Sequence, residues 1–161
     1  MGCGKTTLGW KLAVRLGISF IDMDSYISNR YCKTIADIFK DEGEDGFRNK
    51  ERDCLLEISQ IEDVVVATGG GAPCFFDNID VMNSTGITIF LDISPVELAR
   101  RLRSSHTVRP LIHEKKGDEL IDHIISMLQE RLPFYRKASH TFSEEKISVD
   151  EIIRNLELND K

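Results

Sequence analysis

The run Gly2-Cys3-Gly4-Lys5-Thr6-Thr7, leading straight into an amphipathic stretch, constrains this chain more than any other feature. Closely spaced glycines let successive backbone N–H groups curl around phosphate oxygens, and the helix that follows turns its positive end toward the same anion. Gly4-Lys5-Thr6 supplies the second half of the pattern G-x-x-x-x-G-K-[ST]. In that pattern Lys5 reaches the β- and γ-phosphates of a nucleotide, and the Thr6 hydroxyl ligates Mg²⁺. A glycine turn that merely caps a helix is the plain alternative. The direct run into a helix over Lys5–Leu16, with Leu8, Leu12 and Leu16 on one face, favours the cradle. The pattern's first glycine and the apolar strand that precedes such a loop would lie before Met1, so roughly ten further residues are expected upstream.

The remaining composition narrows the class. A chain of 161 residues fits one domain over 1–161. Lys plus Arg is 21 and Asp plus Glu is 27, giving a formal net charge of −6. That balance argues against non-specific nucleic-acid binding, which needs a basic phosphate-facing surface. No apolar run approaches the roughly 20 residues of a membrane-spanning helix, and no signal-peptide core follows Met1. A cytoplasmic monomer without nucleic-acid or membrane partners is the expectation. Cys3, Cys32, Cys54 and Cys74 are widely spaced, which speaks against zinc or a disulfide framework.

Strand-like and helix-like segments alternate, so the expected fold is α/β with a mostly parallel sheet. Strands are expected at Ile18–Ile21, Val64–Ala67 and Ile87–Leu91. Helices are expected over Ile35–Lys40, with Thr34 as N-cap, and over Glu44–Ile58. Others should start after Ser94-Pro95-Val96-Glu97 and Ser148-Val149-Asp150-Glu151. The polar stretch 104–117 lacks a period and reads as a functional loop. Residues 159–161 read as a frayed end.

Several side chains stand out against this frame. Asp22 and Asp24 follow a strand, where two residues two apart point the same way if the chain stays extended. Arg48, beside Asn49-Lys50-Glu51, reads on its own as a solvated helix face. Gly69-Gly70-Gly71 follows a strand; three glycines raise the entropic cost of ordering, so a close backbone approach to a ligand explains them. Arg100, Arg101 and Arg103 read as an exposed charged helix end.

Phe20-Ile21-Asp22-Met23-Asp24, Ile35-Ala36-Asp37-Ile38-Phe39 with Gly43-Glu44 and Phe47-Arg48, Thr68-Gly69-Gly70-Gly71-Ala72, Arg109-Pro110-Leu111, and Arg131 with Tyr135-Arg136 resemble shikimate kinase in order and approximate spacing. The resemblance implies a P-loop kinase: a five-stranded parallel sheet sandwiched by helices, with a mobile lid at about 104–117 and the first strand missing from this chain. It implies ATP-dependent phosphorylation of the 3-hydroxyl of shikimate, within aromatic amino-acid biosynthesis. Gly2, Cys3, Gly4, Lys5, Thr6, Thr7 and Arg109 would bind ATP. Lys5, Asp24 and Arg109 would be catalytic, with Asp24 the favoured proton acceptor. Asp24, Arg48, Gly69, Gly70, Gly71 and Arg131 would bind the acceptor, with Arg136 a neighbour competing for the last role. Thr6 and, through water, Asp22 would hold Mg²⁺. Arg101 or Arg103 would pack on adenine. A gluconate or nucleoside monophosphate kinase of the same fold, and an inactive nucleotide-binding relative, are the alternatives.

Overall fold

Local signals set most helix ends. α1 (Lys5–Leu16) starts at Gly4, whose φ of 86° lies in the left-handed region that glycine enters freely, and it stops at Gly17. The structure, a computed structural model, describes residues 2–104, 118–143 and 147–156. β1 (Ser19–Asp22) follows, then α2 (Met23–Tyr31) and α3 (Ile35–Ile58). The Thr34 hydroxyl caps α3 by accepting from the Asp37 N–H. The two helices expected on either side of Gly43 are both present: α3 is interrupted at Gly43, whose φ of 71° and ψ of −171° are not helical.

β2 (Val64–Ala67) leads through the glycine turn into a single 3₁₀ turn (Ala72–Cys74) and α4 (Asn78–Thr85). β3 (Ile89–Leu91), α5 (Pro95–Ser104), α6 (Asp118–Tyr135), β4 (His140–Phe142) and α7 (Val149–Asn155) complete the order. β3 is shorter than Ile87–Leu91 because its ladder begins where Ile89 faces His140; Ile87 is exposed.

Both ladders are parallel. Ser19 to Asp22 of β1 face Val64 to Ala67 of β2, and Ile89 to Leu91 of β3 face His140 to Phe142 of β4. The architecture is the expected parallel α/β type, yet the described residues form two two-stranded ladders instead of one five-stranded sheet. Among the described residues β2 and β3 do not pair with each other, and the strands are mostly half-buried.

Three apolar clusters hold the elements. Met23, Ile27, Ile38, Phe47, Cys54, Leu55, Ile58 and Ala72 join α2, α3 and the 3₁₀ turn. Ile93, Leu98, Ala99, Leu120 and Ile124 join α5 to α6. Leu12, Phe142, Ile152 and Ile153 join α1, β4 and α7. α1 seats closely on β1: a methyl group on Gly9 would lie 3.0 Å from the Phe20 ring.

At the head of α5 the Ser94 hydroxyl accepts from the Glu97 N–H at 3.3 Å. The Glu97 carboxylate accepts from Arg100 Nε and Nη2 at 2.6 and 2.7 Å, and from Arg101 Nε at 2.6 Å. These guanidinium hydrogen bonds and charges hold its carboxyl down at about 2.

Two outcomes follow for stability. Ile27→Ala, at a site with 0% exposure, is expected to lower unfolding free energy by about 2–5 kcal/mol in urea denaturation. Because Glu97 is depressed in the folded state, its stabilising contribution is present above its ordinary value of 4.5 and fades as pH falls toward about 2. Carbon-13 NMR should place its midpoint near about 2, and Glu97→Gln should flatten the acid limb of stability over that window.

Candidate active site

The first turn of α1 differs in charge from those of α2, α3, α4, α5 and α7, each of which carries an acidic residue. α1 has no acid there, and no side chain caps its amides. An uncapped helix N-terminus without a carboxylate favours an incoming anion. Lys5 and the exposed Thr6 and Thr7 occupy this turn, and Lys5 Nζ lies 3.9 Å from Cys3 Sγ. The preceding loop rests on α5: Gly2 has φ 73°, and a methyl group there would meet Leu102 Cγ at 3.1 Å. Arg101 Nη1 donates to the Cys3 carbonyl at 3.3 Å, while Arg103 is exposed. Arg101, one of the two arginines expected on adenine, thus braces the loop backbone before α1.

Thr6 Oγ1 donates to Asp22 Oδ2 at 2.8 Å, which brings together the two residues expected at Mg²⁺. Asp22 and Asp24 do not lie on one extended segment. Asp22 is the N-cap of α2, with its Oδ1 accepting from Ser25 N–H at 3.1 Å, and Asp24 is already in the first helical turn. The capping preference of aspartate ends the strand one residue earlier than the extended reading requires. Asp22 is thereby turned to Thr6, while Asp24 approaches the glycine turn. A methyl group on Gly69 would sit 3.4 Å from Asp24 Oδ1 and 3.0 Å from Glu51 Oε1.

Arg48 is not on a solvated face; it is only 9% exposed. Its Nη1 donates to Glu51 Oε2 at 2.7 Å, and its Nη2 and Nε donate to Glu44 Oε1 at 3.0 and 3.3 Å. The guanidinium carbon stands 4.0 Å from the Phe75 ring centroid and 5.1 Å from that of Phe47. Phe75 precedes Phe76, whose φ of 53° turns the chain sharply. A methyl group on Gly71 would fall 2.7 Å from Arg48 Nη2, so a side chain there would displace the guanidinium.

Glu51 is 1% exposed, and burial pushes its carboxyl up against the opposing pull of the Arg48 hydrogen bond and charge. Asp24 adds to the rise and Arg131 opposes it, so both act on the same buried carboxyl as Arg48. Arg131 is half-buried and hydrogen-bonds Tyr135, whose hydroxyl donates to the Gly70 carbonyl. Arg136 is exposed. The structure thus gathers Asp24, Arg48, Gly69, Gly70, Gly71 and Arg131 around Glu51. Arg109 and the loop from 105 to 117 lie outside the described residues.

Glu51 was not singled out from the sequence, although its position three residues after Arg48 puts it on the same helical face. Phe75 and the Tyr135–Gly70 bond had no comparable local signal. Among the described residues, no three or more His, Cys, Asp or Glu side chains gather as a metal site.

The shikimate kinase family profile matches residues 1–158. A shikimate kinase from Bacteroides fragilis is 50% identical over 147 residues, spanning 91% of this chain and 82% of that protein. The crystal structure of shikimate kinase from Bacteroides thetaiotaomicron superposes with a TM-score of 0.90 at 45% identity, covering 98% of this chain and 92% of that one. Shikimate kinase from Acinetobacter baumannii in complex with shikimate gives a TM-score of 0.84 at 33% identity, covering 100% and 91%. With a glycine loop and Lys5 leading into α1 at one end of the site and a buried arginine beside three glycines at the other, the chain belongs to the shikimate kinase family.

Proposed function

We propose that this site transfers the γ-phosphoryl group of ATP to the 3-hydroxyl of shikimate, giving shikimate 3-phosphate and ADP. Family membership supports the reaction, and residues 1–161 are read as one domain that carries it. The observation that carries the residue assignment is the convergence of Asp24, Arg48 and Arg131 on the Glu51 carboxyl beside the glycine turn.

On the phosphate side, Gly2, Cys3, Gly4, Lys5, Thr6 and Thr7 line the ATP tail with amides, hydroxyls and an ammonium. On the acceptor side, Arg48 and Arg131 grip the shikimate carboxylate, since planar guanidinium donors match that group and stay charged. The bare backbone of Gly69, Gly70 and Gly71 leaves room for the ring. Asp24 orients the 3-hydroxyl and accepts its proton. The hydroxyl oxygen bonds to the γ-phosphorus as the bond to the β,γ-bridging oxygen breaks, and ADP carries away that electron pair. Arg109 is assigned to the γ-phosphate and acceptor.

Thr6 and Asp22 fit Mg²⁺ because both offer hard oxygen atoms, already within 2.8 Å of each other. Asp22 would act through water. The ion offsets phosphate charge when bound. Phosphate oxygens and water would supply its other ligands, in keeping with the magnesium preference for keeping waters. A cytoplasmic monomer that binds neither nucleic acid nor membrane completes the proposal.

Coupled ADP release with shikimate, gluconate and AMP tests the acceptor: turnover is expected with shikimate, and turnover confined to another acceptor would overturn the assignment. Lys5→Ala should abolish turnover without unfolding the chain; near-normal activity would remove Lys5 from the site. Arg48→Ala should weaken shikimate binding by about 2–4 kcal/mol in calorimetric titration, as expected when a desolvated charge pair is broken.

A further inference from the structure

The glycine turn is held at every carbonyl. Gly69 O accepts from Ala72 N–H at 3.2 Å, and Gly71 O accepts from Cys74 N–H at 2.8 Å. Gly70 O takes the Tyr135 hydroxyl from α6. Ala72 O accepts from Asn78 Nδ2, at the start of α4, at 2.7 Å. Asn78 is 0% exposed, and burying a carboxamide is unfavourable unless both ends are bonded. Its Oδ1 accepts from Arg52 Nη1 at 2.8 Å. The other end of that guanidinium, Nη2, pairs with Asp77 at 2.6 Å.

Arg52 lies one helical turn after Arg48 on α3, so the same face carries both arginines. Arg48 sits against Gly71, where even a methyl group would be 2.7 Å from Nη2. Arg52 and Asn78 secure Ala72, the next residue. Displacing the Ala72 carbonyl moves Gly71, and because the guanidinium lies where a Gly71 Cβ would be, that movement bears directly on Arg48. A glycine run left to itself has wide backbone freedom. The Asn78–Ala72 bond removes that freedom at the point closest to the guanidinium.

We propose that Asn78, backed by Arg52, is a positioning residue that sets the glycine turn against Arg48 and so tunes the affinity for shikimate. The inference rests on the proposed acceptor role of Arg48. Neither Asn78 nor Arg52 need touch either substrate. The effect is therefore specific to the acceptor, whereas general loosening of the fold would affect ATP and shikimate alike.

The full chain tests this with Asn78→Ala and Arg52→Met, measured by shikimate calorimetry, separate KM values for shikimate and ATP, and thermal unfolding. Asn78→Ala is expected to raise the shikimate Kd by about tenfold, with the ATP KM unchanged within about twofold. Arg52→Met, which keeps the Asn78–Ala72 pair but removes its backing, should give a smaller shift of the same kind; Arg52→Lys should restore part of it. If Asn78→Ala does not fold, Arg52→Met decides. Shikimate affinity within about twofold of the parent in the folded variants, or equal loss for ATP and shikimate, overturns the proposal. Arg48→Ala, measured alongside, separates the two failures. If it weakens shikimate binding while the Asn78 and Arg52 variants do not, the positioning inference alone falls. If it too leaves binding intact, the acceptor site itself is misassigned.

Discussion

A guanidinium that is 9% exposed cannot stand alone, and much of the acceptor side of this molecule follows from that constraint at Arg48. Glu51 answers the charge from one turn along the same helix at 2.7 Å. The Phe75 face covers it, and Gly71 leaves it the space that a Cβ would contest. Glu51 is in turn more deeply buried than Arg48, so the pair is held by mutual need: removing either partner strands a charge in a poorly solvated place. Asp24 and Arg131 then adjust the field around the same carboxyl.

A second link ties this region to the phosphate loop. The Thr6–Asp22 hydrogen bond runs from the first turn of α1 to the N-cap of α2, and Asp24 sits two residues beyond that cap. One short polar contact therefore links the first turn of α1 to the segment bearing the proposed proton acceptor. Cross-braces from α5 act on the other flank, where Glu97 orients Arg101 toward the Cys3 carbonyl. Neither link requires a large apolar area. They work because both ends emerge from helix termini whose direction is already set by α1, α2 and α5.

What the sequence could disclose depended on how local the signal was. Gly17 at the end of α1, the caps Thr34, Ser94 and Ser148, and the strand Val64–Ala67 were legible because each depends on residues within a few positions. The start of α2 was obscured because Asp22 both finishes a strand and caps a helix. β4, at three residues, is too short to display a period. The glycine motif and the family's ordered residues pointed to side chains that the fold brings near Glu51. The burial of Arg48 was not readable, because Phe75 and Gly71 reach it from a distant part of the chain. The same holds for Asn78, an unremarkable polar residue until Arg52 and the Ala72 carbonyl close around it.

That the first turn of α1 carries no acidic residue of its own matters more in this chain than it would in a neutral one. With a formal net charge of −6, the surface as a whole repels a polyphosphate. At physiological ionic strength such repulsion fades beyond about 8 Å, so a nucleotide arriving from solvent responds mainly to whatever lies within that radius. The first turns of α2, α3, α4, α5 and α7 carry an acidic residue of their own; that of α1 carries Lys5 and meets a carboxylate, Asp22, through the Thr6 hydroxyl. The acidity that discourages polyanions elsewhere therefore sharpens the contrast at the first turn of α1, where the helix places no acidic residue and offers Lys5.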